Sequence, residues 1–556
     1  MSKNKNLHKA KSNFSKISDR LIEDTNRRNK GEFYTPTTFV DKAHRMIEKA
    51  LGEDWKEKFV VWDNCCGTKN LTRDYRFNEL YCSTLEQGEL DQCTDYNKEA
   101  VSFQFDFLND SLDKLPASLI EALKANKPIV FLLNPPYATA NNAKKGTSKA
   151  GVAKTMINEA MLADKIGACS QNLYAQFLYR ILIIKREFNL TNCHIALFSP
   201  TLFLSGGSFK GFRTAYLNEF KFDNAVQFKA SHFADCAEDW GISFSLWHNG
   251  ETTDKNNFNY INIDNVEGEI VSCGEKIVYN ADGLKTASDW VKESVKKLET
   301  EDTPHLTNAI NVTEKGYGNI VKNALGYMQL KGNNVNENTM GVSMLSGMYA
   351  NAHGVSVTKD NFDRCTALFA ARKLIEKNWV NSKDEYLAPN EAHPGYNEFV
   401  NDSLIYSLFH SSSNQSSLRN VEYKGKTWNI KNEFFWRSAA EMAEKANAYG
   451  NDEMYNDARV SNDRYVYKKL QGITLSPEAQ AALDKATDIL YKTFKYREIF
   501  NAEHPEYQAN NWDCGWYQVK AVAKAYMPEE LKEFKVLFDK LADKMRPMVY
   551  ELGFLK

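Results

Sequence analysis

The sequence contains no apolar run long enough to span a bilayer, and residues 1–30 lack the apolar segment of a secretion signal. Its ten cysteines are scattered, with neither a CxxC pair nor a Cys/His cluster at zinc spacing. The sequence therefore contains no metal-binding cysteine motif and no disulfide framework. These absences predict a cytoplasmic protein with reduced thiols, no membrane association and no bound metal.

An excess of charge of one sign is also missing, since 70 Lys and Arg face 72 Asp and Glu for a net charge of −2. This net charge does not indicate a nucleic-acid-binding protein. It does not exclude one either, because the local distribution of charge matters more than the sum. With 43% hydrophobic and 26% charged residues, the composition is that of an ordinary globular protein. The 556 residues suffice for roughly three or four domain-sized units.

Residues 1–30 form a basic arm, in which nine Lys and Arg outnumber three Asp and Glu. The arm is either a solvated extension or a segment that contacts phosphates. From residue 31 to about residue 260, short apolar runs alternate with helical patterns; one run, residues 129–133, is predicted to be a buried strand. This alternation predicts an α/β fold with a doubly wound sheet, in which ligands bind at the carboxyl ends of the strands.

Beyond residue 250 the pattern changes. Residues 270–272 and 276–279 flank a Cys-Gly-Glu triplet and predict a hairpin. From residue 481 onward the sequence is mostly helical, and residues 529–545 carry an apolar stripe that is typical of core packing. We therefore expect an α/β domain over residues 31–280 and a mixed, largely helical region over residues 281–556.

Acidic residues follow the first two predicted strands. Asp63 opens the stretch Asp-Asn-Cys-Cys-Gly-Thr-Lys-Asn-Leu directly after the apolar residues 59–62. An acid and a small-residue turn after a strand suit a nucleotide-like ligand, although a plain strand-to-helix turn has the same pattern. Glu86 follows the apolar residues 80–85 and lies 23 positions past Asp63. A carboxylate there can accept hydrogen bonds from ribose hydroxyls, or it is a solvated surface acid.

Asp106 and Phe107 lie at the end of a third candidate strand. A carboxylate can accept the exocyclic N–H of adenine, and an aromatic ring can pack on the face of the base. The alternative for Phe107 is ordinary core packing.

The tetrapeptide Asn134-Pro135-Pro136-Tyr137 follows the predicted strand at residues 129–133. Proline fixes its own φ and holds the preceding residue extended, so the Asn134 side chain and a backbone carbonyl are aimed with little freedom. Two such acceptors can bind both N–H groups of one amine and stabilise the positive charge that develops as its nitrogen attacks. Tyr137 can stack on the base that carries the amine. Taken alone, the tetrapeptide could also be a rigid turn.

In these motifs the chain resembles the S-adenosylmethionine-dependent DNA methyltransferases that act on adenine N6. The Asn-Pro-Pro-Tyr tetrapeptide is shared with methylases of cytosine N4, of some RNAs and of a glutamine in protein release factors. The segment Gly31-Glu32-Phe33-Tyr34-Thr35-Pro36 resembles the G-x-F/Y-x-T-P element that precedes the cofactor motif in the γ arrangement. The resemblance covers about residues 31–250 and implies that the C-terminal region reads the target sequence.

The resemblance also implies roles for single residues. In the family, the positions that match Tyr34, Thr35 and Pro36 contact the methionine end of the cofactor. Those that match Asp63, Cys66 and Gly67 bind the cofactor, Glu86 its ribose, and Asp106 with Phe107 its adenine. One departure stands out, since the family usually has a second glycine where this chain has Lys69. A side chain there would either crowd the cofactor or point to solvent.

Duplex DNA is the implied partner, and the target adenine has to be flipped out of the helix to be reached. Phe233 could cover the face of the base opposite Tyr137, or it belongs to the core. The polar loop of residues 138–154 has no acidic residue and suits phosphate binding and loop closure, unless it is only a solvated loop. Further candidates for DNA contacts in these segments and beyond are Lys144, Lys145, Lys149, Lys154, Arg213 and Arg419.

The sequence therefore predicts direct methyl transfer from S-adenosylmethionine to adenine N6, without a covalent enzyme intermediate or a catalytic metal. No nuclease motif is recognisable, which leaves room for a separate restriction or specificity subunit. The first alternative is a methyltransferase of cytosine N4, RNA or protein glutamine. The second is a catalytically weak DNA-binding module with the same fold, which Lys69 favours. The recognition sequence and the oligomeric state are open.

Overall fold

The computed structural model describes residues 35–138, 155–233, 240–316, 320–349, 353–449 and 456–556. These residues divide into two units. The first comprises the residues through Asp282 together with Asn378–Asp384, and the second comprises Gly283–Lys377 and Glu385–Lys556.

The first unit is built on a mixed sheet whose strands run, among the described residues, in the order β3-β2-β1-β4-β5-β7-β6-β8-β9. Strands β1 to β5 are parallel to their neighbours within that group, whereas β7 is antiparallel to both β5 and β6. The strands are β1 Val60–Asp63, β2 Glu79–Thr84, β3 Val101–Gln104, β4 Ile129–Leu133, β5 Cys193–Ser199, β6 Phe220–Lys229, β7 Gly241–Asn249, β8 Asn257–Val266 and β9 Glu269–Tyr279.

Helices cover both faces of this sheet, and the strands show why. In β4, Phe131 and Leu133 belong to one hydrophobic core, whereas Val130 and Leu132 belong to the other. A strand buried on both faces reads as a continuous apolar run, which is the pattern that predicted it. The α/β doubly wound prediction is thereby confirmed. The helices are α1 Thr37–Leu51, α2 Trp55–Lys58, α3 Gln87–Gln92, α4 Ala117–Lys124, α5 Met156–Ala163, α6 Leu173–Glu187, α7 Leu202–Ser205 and α8 Lys210–Leu217.

The strand order reverses direction between β1 and β4. These two strands are paired in parallel, with Val61 opposite Val130 and Trp62 opposite Phe131. From β1 the chain proceeds outward to β2 and β3, and then returns to place β4 on the other side of β1. In open α/β sheets, ligands bind in the crevice at the carboxyl ends of the strands at such a switch point. Asp63 ends β1 there, and Asn134 follows β4 at the same edge.

The predicted hairpin around Gly274 is wrong. Strand β9 runs without interruption through this glycine and pairs antiparallel with β8. The turn lies earlier, at Glu267 and Gly268, which have φ values of 53° and 96°. Gly274, at φ 122°, lies where the pairing register shifts between Asn262 and Ile263. An isolated glycine inside a strand often marks a bulge of this kind rather than a turn.

The second unit contains mostly helices and short strands, so the expected helical C-terminal region is present. Its helices are α9 Ala287–Lys292, α10 Phe362–Leu374, α11 Tyr396–Phe409, α12 Ala439–Ala448, α13 Asn456–Val460, α14 Tyr465–Leu470, α15 Pro477–Glu503, α16 Trp516–Tyr526, α17 Pro528–Met545 and α18 Met548–Glu551. From the predicted stripe of α17, Phe534, Leu541 and Met545 are buried in the main core of this unit.

The strands of the second unit form four small sheets in the described part of the chain. They are β10 Thr300–Glu301, β11 His305–Leu306, β12 Val312–Thr313, β13 Ile320–Val321, β14 Gly326–Leu330, β15 Val342–Leu345, β16 Met348–Tyr349, β17 Gly354–Val357, β18 Ser413–Asn414, β19 Leu418–Tyr423 and β20 Lys426–Ile430. Across the described ranges of both units, no helix combines the length and apolarity needed to cross a bilayer.

Candidate active site

The residues that follow β1 place a carboxylate in a buried position. Asp63 is 0% exposed and Asn64 is 1% exposed. Within the described part of the chain, no group makes a well-formed hydrogen bond with the side-chain oxygens of Asp63 or with the amide of Asn64. Burial raises the pKa of Asp63 to about 8, although the Cys65 backbone N–H and the Lys69 charge act in the opposite direction. A buried carboxylate without a well-formed hydrogen bond is costly, so this position suits a ligand that brings a cation or N–H donors.

The loop after Asp63 is tied to the neighbouring strand. The Cys66 backbone N–H donates to the Ser83 carbonyl of β2 at 2.9 Å. Gly67 and Lys69 have φ values of 47° and 62°, in the left-handed region that glycine favours. The loop therefore has a left-handed backbone at two positions, one of which carries a lysine.

The side chain of Lys69 does not point to solvent. It is 3% exposed, and its Nζ donates to the Tyr96 backbone carbonyl at 3.1 Å. Of the two alternatives for Lys69, the one in which its side chain points to solvent is wrong, because the chain provides an internal acceptor for its ammonium group. The left-handed backbone remains unfavourable for any residue with a Cβ atom.

A matched pair of substitutions separates the backbone effect from the side-chain effect at this position. Lys69→Gly and Lys69→Ala both remove the ammonium group, but only glycine relieves the left-handed strain. We expect the glycine variant to have a free energy of unfolding about 1 kcal/mol higher than the alanine variant. Urea denaturation of both variants measures the difference, and equal stability would contradict the strained backbone.

The Asn134 side chain is held at both ends of its amide. Its Nδ2 donates to Thr35 Oγ1 at 2.8 Å, and its Oδ1 accepts a hydrogen bond from the Tyr137 hydroxyl at 2.5 Å. Thr35 is buried and immediately precedes Pro36 and helix α1. The Thr-Pro element and the Asn-Pro-Pro-Tyr tetrapeptide, 99 positions apart, therefore meet at one amide. The carboxamide oxygen has two lone pairs, so it can accept a second hydrogen bond beside the one from tyrosine.

An aromatic residue that the sequence reasoning missed lies beside Tyr137. The rings of Tyr137 and Trp240 are 6.2 Å apart between centroids, at an interplanar angle of 88°. Trp240 immediately precedes strand β7. A single tryptophan before a strand gives no signal in the sequence that would link it to a tyrosine about a hundred residues earlier.

Asp106 and Phe107 have local roles. The Asp106 carboxylate accepts hydrogen bonds from the backbone N–H groups of Leu108 and Asn109 at 3.0 and 3.1 Å, and from the Asn109 side chain at 2.8 Å. Phe107 is 3% exposed and stacks on Phe177 with 5.2 Å between ring centroids. The carboxylate thus closes a turn and the ring packs in the core, while their contacts with a cofactor stay predictions.

Glu86 is exposed at the carboxyl end of β2, where it immediately precedes helix α3. Strand β2 pairs in parallel with β1, with Cys82 opposite Asp63. Glu86 therefore lies beyond the same sheet edge as Asp63, as the sequence reasoning expects. Its contact with a ribose stays a prediction.

Arg213 is not available to a phosphate, in contrast to the expectation from sequence. Its side chain is 2% exposed and forms a bidentate ion pair with Asp282 at 2.9 and 2.8 Å. Its remaining donors reach the backbone carbonyls of Phe203 and Gly206. The guanidinium holds the segment after β5 to the end of the first unit, so its role is structural.

Two further candidates for DNA contacts also have internal partners. Phe233 is fully buried and packs against Phe228 with 5.7 Å between ring centroids, so it belongs to the core. Arg419 donates to Asp513 at 2.9 Å and to Asp457 at 3.3 Å within the second unit. Because these contacts use its guanidinium, Arg419 is poorly suited to reading a base edge. The candidates Tyr34, Lys144, Lys145, Lys149 and Lys154 lie outside the described residues.

Three solved structures that resemble the chain do so at low sequence identity. No protein-family model matches the sequence, and a search of curated proteins gives no match. The modification subunit assigned to a type I restriction enzyme of Vibrio vulnificus is 15% identical, with a TM-score of 0.31 over 46% of this chain and 52% of that one. A protein of Listeria monocytogenes, assigned as a class I S-adenosylmethionine-dependent methyltransferase, is 11% identical, with a TM-score of 0.29 over 41% and 65%.

The M protein of the type I restriction enzyme EcoKI is 13% identical, with a TM-score of 0.28 over 41% of this chain and 48% of that one. The matched part of this chain thus spans about half the length of the Vibrio and EcoKI subunits. Similarity at this level assigns no function, which has to come from the chemistry of the site.

Proposed function

We propose that the chain is an S-adenosylmethionine-dependent DNA methyltransferase that acts on N6 of adenine. The observation that carries this proposal is the Asn134 amide, held by Thr35 and Tyr137 at the carboxyl end of β4. It lies across the switch point of the sheet from the buried Asp63 carboxylate at the end of β1, which lacks a well-formed hydrogen bond. One side of the crevice thus offers acceptors for an amine, and the other offers a carboxyl group whose ionised form a cationic ligand would stabilise.

The residues at the end of β1 fit S-adenosylmethionine. This molecule carries an amino group and a sulfonium, and when bound it supplies an activated methyl group. Asp63 would receive the donors of its cationic part, because no described residue of the chain makes a well-formed hydrogen bond with that carboxylate. Asn64 would add an amide with both donor and acceptor atoms. Cys66, Gly67, Glu86, Asp106 and Phe107 complete the proposed cofactor residues.

Asn134 would act on the amine that receives the methyl group. Its Oδ1 and a backbone carbonyl of the proline pair accept the two N–H groups, which draws the nitrogen lone pair away from the ring of the base. The same acceptors would stabilise the positive charge that develops as the nitrogen–carbon bond forms and the methyl group leaves the sulfonium. The Thr35 hydroxyl fixes which way the amide faces, and solvent takes the released proton.

Tyr137 would stack on the flipped base, whose extrusion from the duplex costs a few kcal/mol. Trp240, 6.2 Å away, limits where that base can lie. The second unit would read the target sequence, and a separate restriction or specificity subunit would be a further partner. Duplex DNA is the proposed substrate.

The proposal is tested by single-molecule sequencing of genomic DNA from a methylation-free host that expresses the chain, beside a host expressing Asn134→Ala. N6-methyladenine in one short motif, absent with the variant, is the expected result. Detection of N4-methylcytosine instead would mean that the chain methylates the exocyclic amine of cytosine rather than that of adenine. Unmodified DNA, together with cofactor binding in vitro, would point to an RNA or protein substrate, and absence of cofactor binding would favour a DNA-binding module.

A further inference from the structure

Two residues outside the proposed cofactor set, Tyr96 and Asn97, hold the loop that follows β1. This loop, residues 64–73, is named the cofactor loop below. Tyr96 and Asn97 lie between helix α3 and strand β3 of the same unit. Asn97 has a φ of 46°, in the left-handed region that asparagine enters more readily than most residues. We name Tyr96 and Asn97 the loop anchor, because three contacts join them to the cofactor loop.

Each of the three contacts reaches a different residue of the cofactor loop. Lys69 Nζ donates to the Tyr96 carbonyl at 3.1 Å, and Asn97 Nδ2 donates to the Thr72 carbonyl at 2.7 Å. The Arg73 guanidinium lies over the Tyr96 ring, 5.7 Å from its centroid. Thr72 is fully buried, and both residues of the loop anchor are half-buried. The contacts are thus partly shielded from water, which strengthens them.

The cofactor loop depends on such contacts because its own backbone is unfavourable. Lys69 has a φ of 62°, a conformation that the Cβ atom of a lysine disfavours. A turn is nevertheless built on this residue, since the backbone N–H groups of Thr72 and Arg73 donate to its carbonyl at 3.1 and 2.8 Å. The Asn97 side chain fixes the same turn at the Thr72 carbonyl. Without it, other conformations of the loop would compete with the one that places Asp63 and Gly67.

The loop anchor also joins two parts of the proposed cofactor site. The connection from β2 to β3 begins with Glu86, the proposed acceptor of the ribose hydroxyls, and the loop anchor lies near its end. The first part of this connection is held as well, since Thr84 Oγ1 donates to the Glu89 carboxylate of α3 at 2.6 Å. The contacts of the loop anchor therefore limit how far the Glu86 side of the site can move from the Asp63 side.

We propose that Asn97 is a positioning residue, which keeps the cofactor loop in its binding conformation and thereby raises the affinity for S-adenosylmethionine. This inference rests on the cofactor of the proposed function. When the binding conformation of a loop is only partly populated, the apparent affinity for the ligand is reduced by that fraction. The loop anchor precedes β3, which β2 and β1 separate from β4 and Asn134. The rate of methyl transfer at saturating cofactor should therefore not depend on it.

S-adenosylmethionine is titrated calorimetrically into the full-length chain, into Asn97→Ala and into the control Asn126→Ala. The control is matched, because Asn126 has a φ of 52° and its Nδ2 donates to Thr191 Oγ1 at 2.8 Å, but it precedes β4 at the opposite edge of the sheet. Asn97→Ala is expected to raise the Kd about 3–10-fold, as for the loss of one hydrogen bond. Its KM for the cofactor should rise with kcat unchanged. Asn126→Ala should keep the wild-type Kd, and thermal unfolding compares the stability of the two variants.

Hydrogen exchange without cofactor tests the conformation of the loop itself. The backbone amides of residues 66–73 are expected to exchange faster in Asn97→Ala than in the wild type. Saturating S-adenosylmethionine should remove this difference, because the bound loop has the same conformation in both proteins.

Three results would overturn the inference. In the first, Asn97→Ala binds S-adenosylmethionine as tightly as the wild type, so that the proposed function stands without this positioning role. In the second, Asn126→Ala loses as much affinity as Asn97→Ala, which would identify a general effect of lowered stability. In the third, the wild-type chain binds no S-adenosylmethionine at all, which would reject the proposed function as well.

Discussion

Asn134→Ala is expected to lower kcat for methyl transfer to DNA by about 10²–10³-fold, the cost of removing one preorganised hydrogen-bonding group from an active site. The affinity for S-adenosylmethionine should change little, since the amide acts on the amine that receives the methyl group. Single-turnover transfer of labelled methyl to genomic DNA measures the rate, and calorimetric titration measures cofactor binding. A variant that keeps the wild-type kcat would exclude Asn134 from the chemistry.

Two neighbouring substitutions distinguish a chemical role from a positioning role. Thr35→Val removes the acceptor of the Asn134 Nδ2 group, and Tyr137→Phe removes the hydroxyl that donates to Oδ1. Both leave the amide in place, so we expect kcat to fall less than with Asn134→Ala. A loss in Thr35→Val that equals the loss in Asn134→Ala would show that the orientation of the amide, rather than its presence, limits the rate.

Asp63→Asn is expected to act in opposite directions on binding and on stability. It removes the negative charge that would pair with the cofactor, so the affinity for S-adenosylmethionine should fall roughly 10–100-fold, as for the loss of a charged hydrogen bond. It also removes a fully buried carboxylate that has no well-formed partner among the described residues, so the protein without cofactor should become more stable. Asp95→Asn, the same exchange at an exposed position, controls for the loss of one charge.

The pH dependence of this stability difference has a definite sign. The folded state holds the Asp63 proton up to about pH 8, whereas the ordinary carboxyl pKa is 3.8. Between these values the folded state binds more protons than the unfolded state, so the free energy of unfolding falls as pH rises. The advantage of Asp63→Asn over wild type should therefore be small near pH 4 and grow toward pH 8. Urea denaturation across this range measures it, and a constant difference would contradict a raised pKa.

Continuous apolar runs made the sheet predictable. Strand β4 is predicted over residues 129–133 and occupies Ile129–Leu133. All five residues are apolar and buried, as in a strand that is covered on both faces of the sheet. The hairpin prediction at Gly274 is wrong because a glycine between two apolar stretches occurs both in hairpin turns and in bulges. Only the pairing of β9 with β8 distinguishes a bulge from a turn here, and a single sequence does not show which strands pair.

Single side chains were less predictable than elements. Arg213 and Arg419 look like phosphate or base contacts in the sequence, but each meets a carboxylate that is 69 or 94 positions away. Phe233 has the residue type of a base-stacking group, yet its ring lies in a core. A residue type limits which contacts are available, but the topology decides which of them forms. The hydrogen bond between Thr35 and Asn134 is likewise a contact that the sequence does not predict, although both residues are site candidates.

The short segment Asn378–Asp384 limits how the second unit could be exchanged between related proteins. It is flanked by second-unit residues but belongs to the first unit, where Asp384 forms an ion pair with the half-buried Lys276. The Trp379 carbonyl accepts a hydrogen bond from Gln227 Nε2 at 3.0 Å, and a Cβ atom on Gly241 would lie only 2.9 Å from that carbonyl. A chimaera joined by a single cut after Asp282 would import a foreign version of this segment and break these fitted contacts. A chimaera that exchanges only the second unit has to keep these seven residues with the first unit. It therefore needs three junctions rather than one, after Asp282, after Lys377 and after Asp384.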